Sequence, residues 1–424
     1  MMQPLLRALA ASTLFACSGP ATTTGTGQHT IDHDEAPSAS RLAIDIEHTD
    51  FARNPQLLGR LRESPHGYFR FIHRQFLTAV CTDFADSLDS APPVNLHGDA
   101  HLEQYAVTDL GRGLTDFDGA TTGPALLDLV RLGVSVHLAM RAHGWTGEED
   151  AVFDGLLDGY REGLFATDDT PIPDEPRVVR RIHEGFVANP QRLTDVVDEM
   201  MQPVPDATQR AIADAMDSYV QVQHEQDPHL ADRFFDVERI GRIDLGIGSA
   251  LDEKFLIRVR GETEAPEDDA VLEAKEVISL AGIPCIQASP EPDPFRILLG
   301  QARIAYQPFP YLGFIRAMGT TLWIHGWTNH YHEVSIEEYE SPEELAELAH
   351  DIGVQLGRGH VNAIAYPLDL QLRRSQGLYL EEHGAQLHDA VRTLATETIA
   401  TWEAFVRETD DHPSLIATSG EEAP

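Results

Sequence analysis

The stretch VNLHGDAHLEQYAVTDLGRGLTDFDGATTGPALLDLVRL, Val94 to Leu132, crowds two His, four Asp and one Glu into the run from His97 to Asp118. Apolar residues ahead of a polar turn predict a short buried strand, Val94–Leu96, ending in an exposed loop. His97-Gly98-Asp99 delivers a carboxylate at the strand end, with Gly98 able to take a tight or left-handed turn. A second apolar-to-polar step, Gly113-Leu114-Thr115-Asp116-Phe117-Asp118, delivers two more. Gly111-Arg112-Gly113 reads as the hairpin turn that brings the two loops together. Carboxylates clustered in this way repel one another and persist only with a cation or a proton among them. The other reading is a polar strand-turn-strand whose carboxylates point into solvent. His97 and His101 read as histidines bracing the loop through its backbone rather than as metal ligands.

Working outward, Ser64-Pro65 predicts a helix start, and Tyr68, Phe69, Phe71, Ile72, Phe76, Leu77, Val80 and Phe84 make a broad apolar face beneath the loop. On the other side Ala125–Ala142 is an apolar-periodic helix, with Asp128 and Arg131 three apart on one face. Residues 146–235 read as further helices, broken at Thr170-Pro171-Ile172-Pro173 and Pro203-Val204-Pro205. The texture changes at Asp236: strand, Gly-rich turn, strand over Glu238–Gly261, then an acidic turn and Ala270–Glu276. Gly246-Ile247-Gly248-Ser249 would let backbone N–H groups approach a phosphate, and strand-borne Lys275 could add a positive charge. A plain hairpin is the competing reading. Tyr311–Ile315 and Thr321–Trp327 read as strands, the second a candidate hinge against a nucleotide base. Ser341-Pro342 opens a helix to Gly357, and Leu380–Val406 reads as the last one.

The Asp99, Gln104 and Asp116 spacing resembles that of protein-kinase-type phosphotransferases. Those place a base Asp in a catalytic loop, an amide metal ligand five residues later and a metal-binding Asp after a hairpin. The stretch is similar to the His-Gly-Asp-x-His-x-x-Asn loop and Ile-Asp-Phe/Trp-Asp/Glu segment of aminoglycoside and choline kinases. It is more similar still to a bacterial family of unknown function, DUF2252, with Gly-Asp-Ala-His-Leu-Glu-Asn-Phe-Gly…Asn-Asp-Phe-Asp-Glu…Gly-Pro…Asp-Leu-x-Arg-Leu. This chain departs from that pattern at Gln104, Ala106, Thr115 and Gly119. The longer amide of Gln104 must retract to reach the same metal. Arg62-x-Ser64-Pro65…Tyr68-Phe69-Arg70, Gly246–Ser249 with Lys275-Glu276, and Leu356–His360 resemble further segments of the family. His360 itself reads as a packed helix-end histidine.

The resemblance implies an α+β, protein-kinase-like two-lobe fold. Its Gly-rich turn and Lys follow the catalytic segment, so the fold would be circularly permuted, with a helix-rich larger lobe and a small antiparallel-sheet lobe. Asp99 would be the base, Asp116 the principal metal ligand, and Gln104 or Asp118 a secondary one. Gly246, Gly248, Ser249 and Lys275 would hold phosphates. Asp128 would anchor the loop backbone, or else pair with Arg131, while His97 and His101 support the site. The helix near Arg296–Arg303 offers Gln301 but no carboxylate to pair with Lys275. The implied activity is transfer of a phosphoryl group from ATP, assisted by Mg or Mn, to a hydroxyl of a small molecule or protein. Nucleotidyl transfer uses the same parts. Two alternatives stand beside it: a metal-dependent hydrolase built from His97, Asp99, His101, Asp116 and Asp118, and a degenerate, envelope-anchored binding protein.

Composition narrows the partners. With 69 Asp and Glu against 31 Lys and Arg, the net charge of −38 repels nucleic acid over most of the surface. Met1–Cys17 reads as a secretory signal, and Leu14-Phe15-Ala16-Cys17 resembles the lipobox whose Cys is cleaved and lipidated. Export to the cell envelope on a lipid anchor follows, or a cytoplasmic location if the start is mis-assigned. Residues 18–48 read as a flexible tether, 49–235 as the helical catalytic-loop lobe, 236–335 as the β-rich nucleotide-binding lobe and 336–424 as C-terminal helices. Cys81 and Cys285 read as two buried thiols, with pairing the alternative.

Overall fold

The computed structural model describes residues 40–410, save 168, 189–191 and 245. The expected signal and most of the expected tether lie outside the described residues. The last part of the expected tether is packed instead, with Leu42, Ile44 and Ile46 buried in the helical core. From Ser40 onward the chain forms one compact unit.

Three short helices come first, α1 (Pro55–Glu63), α2 (Pro65–Phe71) and α3 (His73–Asp83). The break between α1 and α2 lies in Ser64-Pro65. The Ser64 hydroxyl accepts the Gly67 N–H at 3.0 Å, and Pro65, with no N–H to lose, opens the helix. Strands β1 (Pro93–Leu96), β2 (Tyr105–Thr108), β3 (Gly111–Leu114) and β4 (Thr121–Pro124) follow, then α4 (Leu126–Ala142). β1 pairs antiparallel with β4, closing the carboxylate-bearing loop at its base. Inside it the β2–β3 hairpin turns at Asp109-Leu110, not at Gly111-Arg112-Gly113, which form β3. Glycine serves a different purpose there. Gly113 has a φ of 136°, and a Cβ on it would lie 2.9 Å from the Gln355 amide.

Four helices follow, α5 (Glu149–Phe165), α6 (Arg177–Ala188), α7 (Leu193–Met200) and α8 (Asp206–Gln226); the α5–α6 and α7–α8 separations fall at the two expected Pro-containing breaks. Next come β5 (Val237–Arg242), β6 (Lys254–Val259), β7 (Ala270–Glu276), α9 (Pro294–Ile304), β8 (Gly313–Ala317), β9 (Thr320–Gly326) and β10 (Tyr331–Glu333). The chain closes with α10 (Pro342–His360) and α11 (Leu368–Asp410). α11 begins twelve residues before the expected Leu380. Its first turns carry exposed Leu368, Leu370 and Leu378, which blur the apolar stripe.

The larger sheet runs β5-β6-β7-β9-β8, and β10 leaves it to join the order β10-β2-β3. All its pairings are antiparallel, so the described chain is an α+β fold. Alternation along each strand splits the sheet in two. Phe255, Ile257, Leu272, Ala274, Leu322 and Ile324 pack with Ile212, Met216 and Tyr219 of α8. The opposite face therefore carries Lys254, Glu273, Lys275, Trp323 and His325, which line a cavity toward the loops that hold Asp99 and Asp116. Among the described residues no helix is long and apolar enough to cross a membrane.

Cys81 of α3 and Cys285, in the segment after β7, are joined in a disulfide across 204 residues. The reading as two thiols is thereby corrected. The segment around Cys285 lies along β4: Thr122 bridges Gln287, and a Cβ on Gly123 would lie 3.2 Å from the Cys285 carbonyl. That placement, invisible in the spacing, brings the sulfurs together. Closing so long a loop constrains the unfolded chain by roughly 2–5 kcal/mol. Calorimetry with and without reductant should show a lower Tm for the reduced wild type and no reductant effect on a Cys81→Ala/Cys285→Ala variant. Equal Tm values for oxidised and reduced wild type would count against the cross-link.

Candidate functional site

The site begins with a buried carboxylate. Asp128, in the first turn of α4, has no exposed surface; its Oδ2 accepts the His97 N–H and its Oδ1 the Gly98 N–H, each at 2.8 Å. His360 Nε2 donates to the same carboxylate at 3.1 Å, and Tyr160 donates to His360 Nδ1 at 2.9 Å. Burial works to raise this carboxyl, but His360, His97 and the Gly98 N–H outweigh it and hold it below the usual carboxylate range. Asp128 thus anchors the loop backbone and does not pair with Arg131. Gly98 is needed twice over. Its φ is 84°, and a Cβ there would lie 1.9 Å from the Gly119 carbonyl. The two carboxylate loops meet backbone to backbone at Gly98 and Gly119; the hairpin turn does not join them.

At the centre, Lys275 Nζ lies 2.6 Å from Asp116 Oδ1 and 2.6 Å from Asp118 Oδ2. Asp116 sits at φ 54° and ψ 67°, an unusual backbone for a residue with a side chain. Asp118 Oδ1 accepts the Trp323 indole N–H at 2.6 Å. Gln104 Nε2 donates to Asp116 Oδ2 at 3.4 Å. Burial opposes the Lys275 charge, yet Asp116, Asp118 and Glu273 together hold its pKa well above the usual lysine value. Two buried carboxylates sharing one ammonium cannot both be strongly acidic. Burial acts to raise Asp116, but the Lys275 charge and its bond with Asp118 keep it low; burial and the Asp116 charge push Asp118 up.

Asp99 faces a different cation. It pairs with Arg131, which is fully buried and lies 4.3 Å from the Phe69 ring centroid and 5.3 Å from that of Phe76. The aromatics of α2 and α3 thus hold an arginine under the loop. His97 stands behind it: Nε2 donates to the Thr115 carbonyl at 2.8 Å, and Nδ1 accepts the Asp99 N–H at 3.3 Å. His101 is buried on the cavity wall, 6.0 Å from the His66 ring, and burial pushes it well below the usual histidine value. His73, not foreseen, donates to the Gly98 carbonyl at 2.6 Å.

The Gly246–Ser249 turn covers this end of the cavity. A Cβ on Gly248 would lie 4.0 Å from Asp99 Oδ2, and one on Gly246 would lie 3.2 Å from Lys254 Nζ. Arg60 fixes the turn by donating to the Gly246 carbonyl at 2.8 Å. All of Asp99, His101, Gln104, Asp116, Asp118, Gly246, Gly248, Ser249 and Lys275 line one cavity of about 350 Å³. His97 and Asp128 stand outside it, as supports. Gln301 is not a partner of Lys275; it accepts the Phe309 N–H at 3.2 Å.

Several residues in or beneath the cavity escaped the sequence reading. Arg131 looked like a partner of Asp128, because helical spacing cannot say which of two nearby acids an arginine reaches. Glu273 and Trp323 lie in expected strands but were given no role in the site. Lys254 was legible in principle: it follows the Gly-rich turn, and it is one of only two lysines in the chain.

Among the described residues no group of three or more His, Cys, Asp or Glu side chains is arranged to hold a metal ion. Magnesium asks for less: one or two carboxylates, with water and phosphate oxygens completing its shell. Asp116, Asp118 and the Gln104 amide are hard oxygen donors of that kind, already gathered around a cation, and they fit.

The profile of a family described as uncharacterised proteins conserved in bacteria, DUF2252, matches residues 52–202 and 179–408. This chain belongs to that family. No curated protein and no solved structure matches it. The DUF2252 match spans both the carboxylate loops and the five-stranded sheet, so the cavity is built from matched residues throughout.

The anchor gives a direct test. Asp128→Asn puts an amide where two backbone N–H groups expect an acceptor, and should destabilise the fold by at least ~2 kcal/mol at pH 7. The folded-state pKa is depressed, so the wild-type advantage is complete above the unfolded value of about 3.9 and fades as pH falls through the lower folded value. Urea titrations from pH 7 down to 3 should show the gap between the two proteins narrowing below about pH 4. A gap that widens on acidification would contradict this role.

Proposed function

We propose that this chain is an ATP- and Mg-dependent phosphotransferase, kinase-like in fold with its segments permuted, that phosphorylates a hydroxyl of a small-molecule or protein acceptor. One observation carries the reading: Lys275 of the sheet meets Asp116 and Asp118 in a cavity that also holds Asp99, Gln104 and the Gly-rich turn. In kinases a Gly-rich loop covers the phosphates, a lysine on the third strand reaches them, and a catalytic-loop Asp faces the acceptor. Here the turn lies between β5 and β6, Lys275 is on β7, and α9 follows, which supports a nucleotide-binding lobe. A cavity of about 350 Å³ falls within the range of small-molecule pockets, roughly 300–1,000 Å³.

In the proposed reaction the acceptor oxygen attacks the terminal phosphorus, the bond to the bridging oxygen breaks, and ADP leaves. Asp99 accepts the proton of the attacking hydroxyl and aligns it, while Arg131 fixes the carboxylate. Asp116 and Asp118, with Gln104, would hold Mg, which when bound neutralises charge developing on the phosphate oxygens. Lys275 would exchange a carboxylate for phosphate oxygens as nucleotide enters. A hydrolase has less support, because both ring nitrogens of His97 are engaged with backbone and Lys275 would be idle. A silent nucleotide-binding protein shares the geometry, Gln104 favours it, and turnover separates the two. We also propose export with a lipid anchor at Cys17. The disulfide supports it, since such bonds persist in oxidising compartments.

ATP with Mg should raise the Tm, by about 2.7 kcal/mol of stability at a hundredfold excess over Kd. Lys275→Met should abolish the shift. If no nucleotide at millimolar concentration, with Mg or Mn, moves the melting curve, the proposal fails.

Gln104 offers a finer check. Gln104→Asn, the shorter amide of the resembling kinases, should retain or strengthen metal-dependent binding measured by calorimetry. Binding lost in Gln104→Asn but kept in Gln104→Ala would remove residue 104 from the metal shell.

A further inference from the structure

The chain contains 31 basic residues, and 29 of them are arginine. Its two lysines, Lys254 and Lys275, stand directly opposite each other in the β6–β7 ladder. Alternation puts both on the cavity face, where they are 4 % and 6 % exposed. Directly opposed residues have Cβ atoms only about 5 Å apart, and like charges there destabilise a sheet. Burying them together compounds the cost. Burial and the charge of Lys275 both depress the Lys254 pKa, against the pull of Glu273, Asp116 and Asp118.

The geometry gives the pair a use. Lys275 is held by Asp116 and Asp118, at the end of the cavity where metal would bind. Lys254 points instead to the Gly-rich turn, 3.2 Å from where a Cβ on Gly246 would stand. Every other basic position in this chain is served by arginine, a broad planar fork; these two take the compact ammonium, which approaches a phosphate as a point charge. An anion between the turn and the ladder would meet one ammonium from each strand. A single phosphoryl group satisfies one of them, whereas a chain of two or more reaches both.

We propose that Lys254 is a second phosphate-binding residue, and that the lysine pair, with the Gly246–Ser249 turn, forms a site for a di- or triphosphate chain. The inference rests on the nucleotide reading above, but adds a residue and a requirement for linked phosphates. Lys254 holds the phosphate nearer the Gly-rich turn, and Lys275 the one nearer Asp116. The repulsion between them is relieved when the polyanion binds, so occupancy and sheet stability rise together.

The test uses the full chain with Lys254→Met and Lys254→Arg, and three probes: ATP with Mg, adenosine, and inorganic tripolyphosphate. Lys254→Met should weaken ATP and tripolyphosphate by about tenfold to a hundredfold, the value of a lost charged hydrogen bond. It should leave adenosine binding unchanged. Lys254→Arg, which keeps the charge but not its shape, should fall between Met and wild type. Wild-type affinity for ATP in Lys254→Met overturns the proposal. So does a lowered ligand-free Tm with adenosine and ATP weakened alike, since that marks a structural lysine. Wild-type protein that binds tripolyphosphate but no nucleotide sinks the kinase reading and keeps the lysine pair. Wild-type protein that binds neither sinks both.

Discussion

The ammonium of Lys275, held 2.6 Å from each of two buried carboxylates, joins the two halves of the site. Breaking a buried ion pair by removing one partner typically costs 3–5 kcal/mol, because the survivor is left as an uncompensated charge. Asp116 and Asp118 therefore need this cation whenever no other is present, and the sheet needs them in return. That mutual need is what ties a strand at position 275 to a loop near position 116. It holds only because the loop itself is rigid. Asp128 fixes its backbone from α4, and His360 fixes Asp128 from α10. The chain of support thus runs from the last helices through Asp128 to the carboxylates.

Much of this was legible from residue types. Ser64-Pro65 and Ser341-Pro342 mark helix starts because a hydroxyl and a ring lacking N–H suit those positions physically. The strands around Lys275 were readable because their period-2 pattern has an apolar face for α8. The faces alone predicted that Lys275 and Glu273 point the same way. The carboxylate loops were legible because like charges in a cluster require a cation.

What escaped depends on contacts between distant residues. Gly111 and Gly113 looked like a turn, yet both lie in β3, and Gly113 is the price of packing that strand against Gln355. The joint between the carboxylate loops lies at Gly98 and Gly119, where neither residue has a side chain to leave a pattern. Arg131 could reach Asp128 by helical spacing but reaches Asp99 because Phe69 and Phe76 direct its guanidinium. Pairing of Cys81 with Cys285 follows from how the segment near Gln287 lies along β4, which no local rule reveals.

The acidity of the chain gives the cavity its character. Most cations on the surface are arginines answering nearby carboxylates, as Arg41 answers Asp83 and Glu397, or Arg258 answers Asp269 and Asp198. Against a net charge of −38 a polyphosphate is repelled at long range, though salt screens that repulsion beyond about 8–10 Å. Recognition of an anion then has to come from close, desolvated contacts, where each ammonium acts at full strength. A cavity offering two lysines on one sheet face, beneath a glycine turn, supplies such contacts in a place the surface field cannot cancel.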